Sequence, residues 1–178
     1  RKRLIEARLA VPASQRSGMA AAIAENLMPL FGDVSGKTIS FYWPLRGEPD
    51  LRPLMAQVAA AGAQCALPVV VERNAPLAFH AWAPGEPLEK GFWNIPVPKN
   101  ARAVQPDIIL SPVVGFDPHC FRLGYGGGYF DRTLAVLTHE PVVLGVGYAS
   151  ASIPTIFPQP HDIALEAIVT EAGVQKRI

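Results

Sequence analysis

The sequence is poor in the residues that build metal centres and disulfide frameworks. It has two cysteines, Cys65 and Cys120, which lie far apart, and no Cys-x-x-Cys or mixed cysteine–histidine pattern has the spacing of a zinc site. A structural zinc site and a disulfide framework are therefore disfavoured, and the composition fits a reducing compartment. Cys65 lies in the apolar run 63–71, so we expect it to be a small buried hydrophobic residue.

Long apolar runs and an excess of one charge are also missing. No apolar run is long enough to span a membrane, and the basic, polar first residues lack the apolar core of a signal peptide. The formal net charge of +1 provides no general attraction to nucleic acid or to a membrane surface. We therefore expect a cytoplasmic monomer that binds a small molecule and neither nucleic acid nor membrane.

The chain does have enough apolar sequence for a sizeable core. Apolar residues make up 49% of its 178 residues and charged residues 17%, as in globular proteins, and we predict a single domain over 1–178. Apolar strands alternate with helices, which predicts an α/β fold: a three-layer, open, mostly parallel sheet with helices on both faces, Rossmann-like. Ligands of such folds bind beyond the carboxyl ends of the strands.

The predicted helices follow the apolar spacing and the capping residues. The first covers 1–9 and begins before the printed sequence; its basic residues Arg1, Lys2, Arg3 and Arg8 predict a solvated face. The second has an apolar stripe of Met19, Ile23, Leu27 and Leu30, and the third runs from a cap at Asp50 to Ala61. Strands are predicted at 38–43, 65–71, 77–82, 108–114, 142–148 and 167–170, whereas the proline-rich segment 85–99 is predicted to be irregular.

One stretch concentrates the chemistry, residues 116–134, with the sequence FDPHCFRLGYGGGYFDRTL. Its four glycines lie within five residues, between the buried strand 108–114 and a helix. In a strand–glycine loop–helix unit, backbone N–H groups and the helix N-terminus can hold phosphate oxygens, and glycine permits a close approach and positive φ. The loop therefore indicates a phosphate site.

The charged residues around this loop favour the same function. Arg122 and Arg132 offer planar cations that suit phosphate, and Asp131 could hold a Mg²⁺ ion that bridges phosphates. The spacing is neither the G-x-G-x-x-G of dinucleotide-binding folds nor a Walker A loop. On spacing alone, a structural turn remains open.

The run from Arg122 to Arg132, RLGYGGGYFDR, preceded by Gly115-Phe116-Asp117, closely resembles the signature of the 5-formyltetrahydrofolate cyclo-ligase family. Further landmarks follow in the family's order along nearly the whole chain: the basic first helix, Glu48, and His161-Asp162 ahead of the segment 168–171. The resemblance implies a fold similar to that of sugar-phosphate isomerases and CoA transferases. It also implies an ATP- and Mg²⁺-dependent closure of 5-formyltetrahydrofolate to 5,10-methenyltetrahydrofolate, with ADP and phosphate released after phosphorylation of the formyl oxygen.

The same resemblance implies roles for individual residues. Arg122 and Tyr129 are expected to be catalytic, and Asp131 and Asp162 to be Mg²⁺ ligands. The expected ATP contacts are Arg1, Arg122, Leu123, Gly124, Tyr125, Gly126, Gly127, Gly128, Tyr129 and Phe130. The expected folate contacts are Trp43, Glu48, Tyr125, Gly126, Gly127, Gly128 and Tyr129. Glu48 would accept hydrogen bonds from pterin N–H groups, while Trp43 is either a flat face for the ligand or a core aromatic.

Three positions depart from the family pattern: Val97 stands in place of a glutamate, Cys120 in place of a glycine and Ile153 in place of a glutamine. The family's N-terminal lysine falls outside this sequence. These departures leave open a divergent paralogue that binds nucleotide or folate without catalysis. A third hypothesis, an isomerase or CoA-transferase-like enzyme, requires a catalytic carboxylate or lysine facing the loop and no ATP, and the sequence offers no such candidate.

Overall fold

The computed structural model describes residues 1–177. Its main feature is one seven-stranded sheet, formed by β1 (Thr38–Ser40), β2 (Gln64–Val69), β3 (Ala78–Ala81), β6 (Ile108–Pro112), β9 (Val142–Val146), β10 (Ala167–Thr170) and β11 (Gly173–Lys176). The strands lie in the order β11-β10-β9-β6-β1-β2-β3. Two small hairpins stand apart from the sheet and pair β4 (Leu88–Lys90) with β5 (Pro96–Pro98), and β7 (Gly115–Phe116) with β8 (Arg122–Leu123).

The middle of the sheet is parallel and its two edges are antiparallel. The four pairings that join β2, β1, β6, β9 and β10 are parallel, whereas β3 and β11 run antiparallel to their neighbours. The prediction of a mostly parallel sheet is confirmed. The apolar run 108–114 supplies the central strand, as predicted, because it is buried on both faces.

Helices cover both faces of the sheet. They are α1 (Lys2–Ala10), α2 (Ala13–Phe31), α3 (Arg52–Ala60) and α4 (Tyr129–Val136). Successive side chains of a strand point to opposite faces. Accordingly, Ile108 and Leu110 pack in a core with α2 and α3, whereas Ile109 packs in a second core beside Phe130 and Leu134 of α4. The predicted helix–sheet–helix layering is therefore confirmed.

Several predicted details were wrong. The predicted stripe of α2 is not among them, because Ile23 and Leu27 are buried and Met19 and Leu30 pack against the same core, while Ala20 and Phe31 complete the buried face. Strand β1 ends at Ser40, three residues earlier than predicted. Residue Leu51, and not Asp50, is the N-cap of α3, although Asp50 Oδ1 accepts a 3.1 Å hydrogen bond from the Arg52 N–H.

The segment 85–99 is not irregular, because it contains the β4–β5 hairpin closed by a short 3-10 turn, Phe92–Asn94. Prolines are tolerated there because the two-stranded hairpin has edges on both sides. The edge strand β11 was missed because its residues alternate between half-buried and exposed and carry little apolar signal.

Both cysteines are free and buried, which confirms the prediction for Cys65, and burial raises the pKa of its thiol to about 11. Over the described part of the chain, none of the helices is sufficiently long and apolar to be a candidate membrane span.

Candidate functional site

The glycine loop, residues 124–128, lies between β8 and α4. The sequence predicted that the loop follows the central strand directly, but the β7–β8 hairpin lies between them. Asp117, 1% exposed, holds that hairpin: its Oδ1 accepts hydrogen bonds from the N–H groups of His119 and Phe121, and its Oδ2 accepts one from Ile156. Asp117 of the Gly-Phe-Asp sequence thus stabilises the hairpin that precedes the loop.

Three glycines of the loop occupy positions in which a residue with a Cβ atom would be strained. Gly126 has φ 103°, and Gly128 has φ 65° at the N-cap of α4, both in the left-handed region. A Cβ on Gly127 would lie 2.8 Å from the ring of Tyr129. Residues 125–128 are exposed, so their backbone is accessible to a ligand from solvent.

A buried ion pair lies at the base of the loop. Arg122 Nη2 is 3.1 Å from Asp131 Oδ1, and the two side chains are 5% and 12% exposed. Within residues 1–177, Nε of Arg122 has no hydrogen-bond acceptor, and the contact of Nη2 with Asp131 is an ion pair. Burial lowers the pKa of Arg122, and the charges of Asp131 and Asp162 oppose that shift. The guanidinium is therefore a buried cation whose charge is balanced by the Asp131 carboxylate.

A backbone hydrogen bond joins the segments that carry the two predicted metal ligands. Asp131 Oδ1 accepts a 3.2 Å hydrogen bond from the N–H of Ile163, the residue after Asp162. Asp162 Oδ2 accepts from the Gln159 N–H, and the exposed His161 ring lies 3.8 Å from its Oδ1. No three His, Cys, Asp or Glu side chains form a metal-binding group in the described chain.

The first helix reaches the glycine loop at its N-terminal end. Arg1 Nε donates a 2.9 Å hydrogen bond to Gly124 O, and its guanidinium lies 3.8 Å from where a Gly126 Cβ would be. From the other side, Arg132 Nη1 donates to Gly127 O at 2.7 Å. Two cations therefore border the exposed loop.

A second part of the site surrounds Glu48, which is 6% exposed. Its Oε1 accepts a 2.7 Å hydrogen bond from the Tyr125 hydroxyl of the glycine loop, and its Oε2 accepts a 2.8 Å bond from the Leu45 N–H. Burial raises the pKa of Glu48, opposed by these two hydrogen bonds and by the charges of Arg8 and Arg46. The structure thus brings together two predicted residues that are 77 positions apart in the chain.

Arg8 also belongs to this group, although the sequence predicted a solvated side chain. It is 7% exposed, and its Nη2 donates a 2.6 Å hydrogen bond to the Tyr125 hydroxyl oxygen. The signal that could have identified it is its helical spacing: Arg8 follows Leu4 by four residues and Ile5 by three, on the apolar face of α1. Arg1, Lys2 and Arg3 are exposed, as expected for a basic helical face.

A cavity of about 460 Å³ adjoins Glu48 between α2 and the loop that follows β1. Arg16, Asp50, Arg52 and Tyr148 are among its lining residues. Burial raises the pKa of Tyr148 to about 12, and its hydroxyl donates a 3.0 Å hydrogen bond to Gly47 O. The cavity offers space for a polar ligand at the Glu48 carboxylate.

Trp43 is half-buried against its neighbours. It packs edge-on to Trp82 at 5.9 Å, and the Arg52 guanidinium lies 4.9 Å from its ring centroid. Trp43 therefore takes part in the core, and its role as a folate contact stays a prediction.

The remaining predicted contacts flank the glycine loop. Leu123 pairs with Gly115 in the β7–β8 hairpin, and the Phe130 ring lies 5.4 Å from the Arg122 guanidinium carbon. The Tyr129 hydroxyl accepts a 3.3 Å hydrogen bond from the Asn74 N–H, and its ring packs edge-on to Trp93 at 5.7 Å. Trp93 is 57% exposed, so the β4–β5 hairpin presents an aromatic ring beside the loop.

The three departures from the family pattern lie in the supporting structure. Val97 is buried, and a Cβ on Gly91 would come within 2.8 Å of it. Cys120 is fully buried with φ 61°, a left-handed conformation that explains why glycine suits this position. The N–H of Ile153 donates to Phe116 O. Val97, the one of the three that replaces a charged residue of the family pattern, lies in the β4–β5 hairpin.

The comparisons with known proteins identify the family of the chain. A sequence model of the 5-formyltetrahydrofolate cyclo-ligase family matches residues 1–171. The chain is 32% identical to the 5-formyltetrahydrofolate cyclo-ligase of Escherichia coli strain K12, over 94% of this chain and 96% of that protein. It is also 32% identical to the Mycolicibacterium smegmatis protein of the same name, over 96% and 91% of the two chains.

A solved structure shows the same fold. The NMR structure of the 5,10-methenyltetrahydrofolate synthetase of Aquifex aeolicus superimposes with a TM-score of 0.82 at 29% identity. The match covers 98% of this chain and 89% of that one.

Proposed function

The chain belongs to the 5-formyltetrahydrofolate cyclo-ligase family, and from that premise we propose that it converts 5-formyltetrahydrofolate to 5,10-methenyltetrahydrofolate with ATP and Mg²⁺. The observation that carries the ATP requirement is Arg122. Among the described residues its buried guanidinium pairs with the Asp131 carboxylate, and the glycine loop 124–128 follows it in the chain. A phosphate of ATP bound at that loop would lie close to this cation, whose planar fork suits phosphate.

The chemistry explains why a phosphate donor is needed. A formamide oxygen is a poor leaving group, so it must first be activated. The formyl oxygen takes the γ-phosphoryl group of ATP and ADP is released; N10 of the folate then attacks the formyl carbon, loses its proton, and the C–O bond breaks to release phosphate. Such a reaction depends on positioning and charge neutralisation more than on a protein nucleophile.

The residues of the loop have the properties that this chemistry requires. The exposed backbone of Gly126, Gly127 and Gly128 at the start of α4 offers N–H groups to the phosphates. Arg122 neutralises charge that develops on the transferring group, and Arg1 adds a second cation at the loop's edge.

The Glu48 carboxylate suits the other substrate. A folate carries an amino-pyrimidine edge with N–H donors, and a carboxylate is an acceptor with two oxygens. Glu48 contacts the Tyr125 side chain and borders the cavity of about 460 Å³. We propose that this carboxylate binds the pterin end of the folate while the formyl group reaches the glycine loop.

The donor set near the loop also fits Mg²⁺. Mg²⁺ prefers oxygen ligands and is usually held by one or two carboxylates plus substrate phosphates, and Asp131 and Asp162 provide two carboxylates beside Arg122. When bound there, the ion would neutralise phosphate charge. The protein's own part is to hold Asp131 in place through the Ile163 N–H.

The test is the appearance of methenyltetrahydrofolate absorbance when the protein is mixed with 5-formyltetrahydrofolate, ATP and Mg²⁺. We expect a rise that requires all three and that Asp131→Ala abolishes. If ATP binds but no product forms, the chain is instead a nucleotide-binding paralogue. If product forms without ATP, the proposed phosphorylation is wrong.

A further inference from the structure

A hydrogen-bond chain joins three separate elements around Glu48. Arg8 of α1 donates to the Tyr125 oxygen at 2.6 Å, and Tyr125 of the glycine loop donates to Glu48 Oε1 at 2.7 Å. Arg8 Nε also donates to Arg46 O at 2.9 Å, in the same loop as Glu48. One guanidinium therefore fixes both the tyrosine and the loop that carries the carboxylate.

The chemistry of the three groups determines which of them donates and which accepts along this hydrogen-bond chain. An arginine side chain has donors and no acceptor, so the Tyr125 oxygen must accept from Arg8. The single hydroxyl proton is then directed at Glu48, which as a carboxylate only accepts. Burial raises the pKa of the Tyr125 hydroxyl, and the Glu48 charge raises it further, so the hydroxyl keeps this proton.

The tyrosine ring is also held in place by cations. The guanidinium carbons of Arg46 and Arg8 lie 5.5 Å and 5.9 Å from its centroid, within the range of cation–π attraction. The ring is nevertheless 43% exposed, so packing alone does not confine it. The hydroxyl is held by two hydrogen bonds, one accepted from Arg8 and one donated to Glu48.

We propose that Arg8 is a positioning residue for folate binding, which acts through the Tyr125 hydroxyl to hold the Glu48 carboxylate in its binding orientation. This proposal rests on the proposed role of Glu48 as the pterin-binding group. Arg8 itself need not touch the folate. Because the Leu45 N–H and the Tyr125 hydroxyl fix one oxygen each, the free protein already presents the carboxylate in one orientation.

The test is a double-mutant cycle on Arg8→Met and Tyr125→Phe, with the folate KM, kcat and the direct affinity for 5-formyltetrahydrofolate in the absence of ATP as readouts. A hydrogen bond to a charged group is worth about tenfold in affinity, so each variant should weaken folate binding by about tenfold. The double variant should also be about tenfold weaker, since Arg8 acts through the hydroxyl that Tyr125→Phe removes. We expect kcat to change by less than about twofold, because the lost interaction holds the folate equally strongly in the ground state and in the transition state.

The control is Arg3→Met, which removes an exposed cation from the same helix and should leave folate binding unchanged. If Arg8→Met does not fold, the cycle is run with Arg8→Lys, which keeps the charge but cannot donate to both Arg46 O and Tyr125.

Two outcomes overturn the proposal: an additive, roughly hundredfold loss in the double variant, or an unchanged folate affinity in Tyr125→Phe. Failure of the proposed function is distinguishable, because the wild-type protein would then neither bind 5-formyltetrahydrofolate nor form product.

Discussion

Neutralising Asp131 should destabilise the protein as well as inactivate it, because Asp131 is the ion-pair partner of a buried arginine. In Asp131→Asn the shape of the side chain and an acceptor for the Ile163 N–H remain, and only the charge is lost. Arg122, 5% exposed, then keeps its charge without its 3.1 Å partner. Breaking a buried pair from one side costs about 3–5 kcal/mol.

We expect a loss of about 3 kcal/mol in the free energy of unfolding, because Asp131 is slightly exposed and Asp162 still acts on the Arg122 charge. For a chain of this size, that loss lowers Tm by roughly 6–12 °C. Urea unfolding followed by circular dichroism measures the free energy of unfolding directly.

The matched control is Asp162→Asn, the other proposed Mg²⁺ ligand. Within the described part of the chain its carboxylate pairs with the exposed His161 and with no buried cation, so the loss of stability should stay below about 1 kcal/mol while the Mg²⁺-dependent activity falls. A double variant, Arg122→Met with Asp131→Leu, should recover most of the stability and none of the activity, because apolar groups of similar size replace a buried pair well. The reasoning is refuted if Asp131→Asn is as stable as the wild type, or if the double variant is less stable than Asp131→Asn.

Three further predictions concern backbone conformation and pH. Cys120→Gly should be more stable than Cys120→Ala by about 1 kcal/mol, because both lose the buried sulfur but only glycine relieves φ 61°; equal stability in urea would contradict this. Gly126→Ala should lower the free energy of unfolding by roughly 1–2 kcal/mol, because residue 126 has φ 103°. Gly124 has no positive φ, so Gly124→Ala should lower it by less than about 0.5 kcal/mol. A larger loss in Gly124→Ala than in Gly126→Ala would contradict this. The pKa of Tyr148 is raised to about 12, so its contribution to stability is present below about pH 10 and is lost as the pH rises through 12. The stability difference between wild type and Tyr148→Phe should shrink over that range, and a constant difference would exclude the effect.

Local sequence patterns predicted much of the fold. The apolar run 108–114 identified the central strand because a strand buried on both faces needs apolar residues throughout. The glycines at 126 and 128 indicated a loop with positive φ, which both residues adopt. In the edge strand β11 and the β4–β5 hairpin the pattern was weak, because such exposed strands need no continuous apolar sequence.

Contacts between residues far apart in the chain could not be predicted in the same way. Arg8 was expected to be solvated, yet its hydrogen-bond partner Tyr125 is 117 positions away. The Glu48–Tyr125 bond likewise depends on the register that places the loop after β1 next to the glycine loop. A sequence shows which residues can pair, but only the tertiary arrangement determines which of them meet.

The most direct test of the central claim follows the formyl oxygen. The protein is given 5-formyltetrahydrofolate labelled with ¹⁸O in the formyl group, together with unlabelled ATP and Mg²⁺, and the released phosphate is analysed by mass spectrometry. If the formyl oxygen is phosphorylated and leaves with the phosphoryl group, each phosphate carries one ¹⁸O atom. If the phosphate is unlabelled and the ¹⁸O appears in water, the formyl oxygen is not the phosphoryl acceptor and the proposed reaction is wrong.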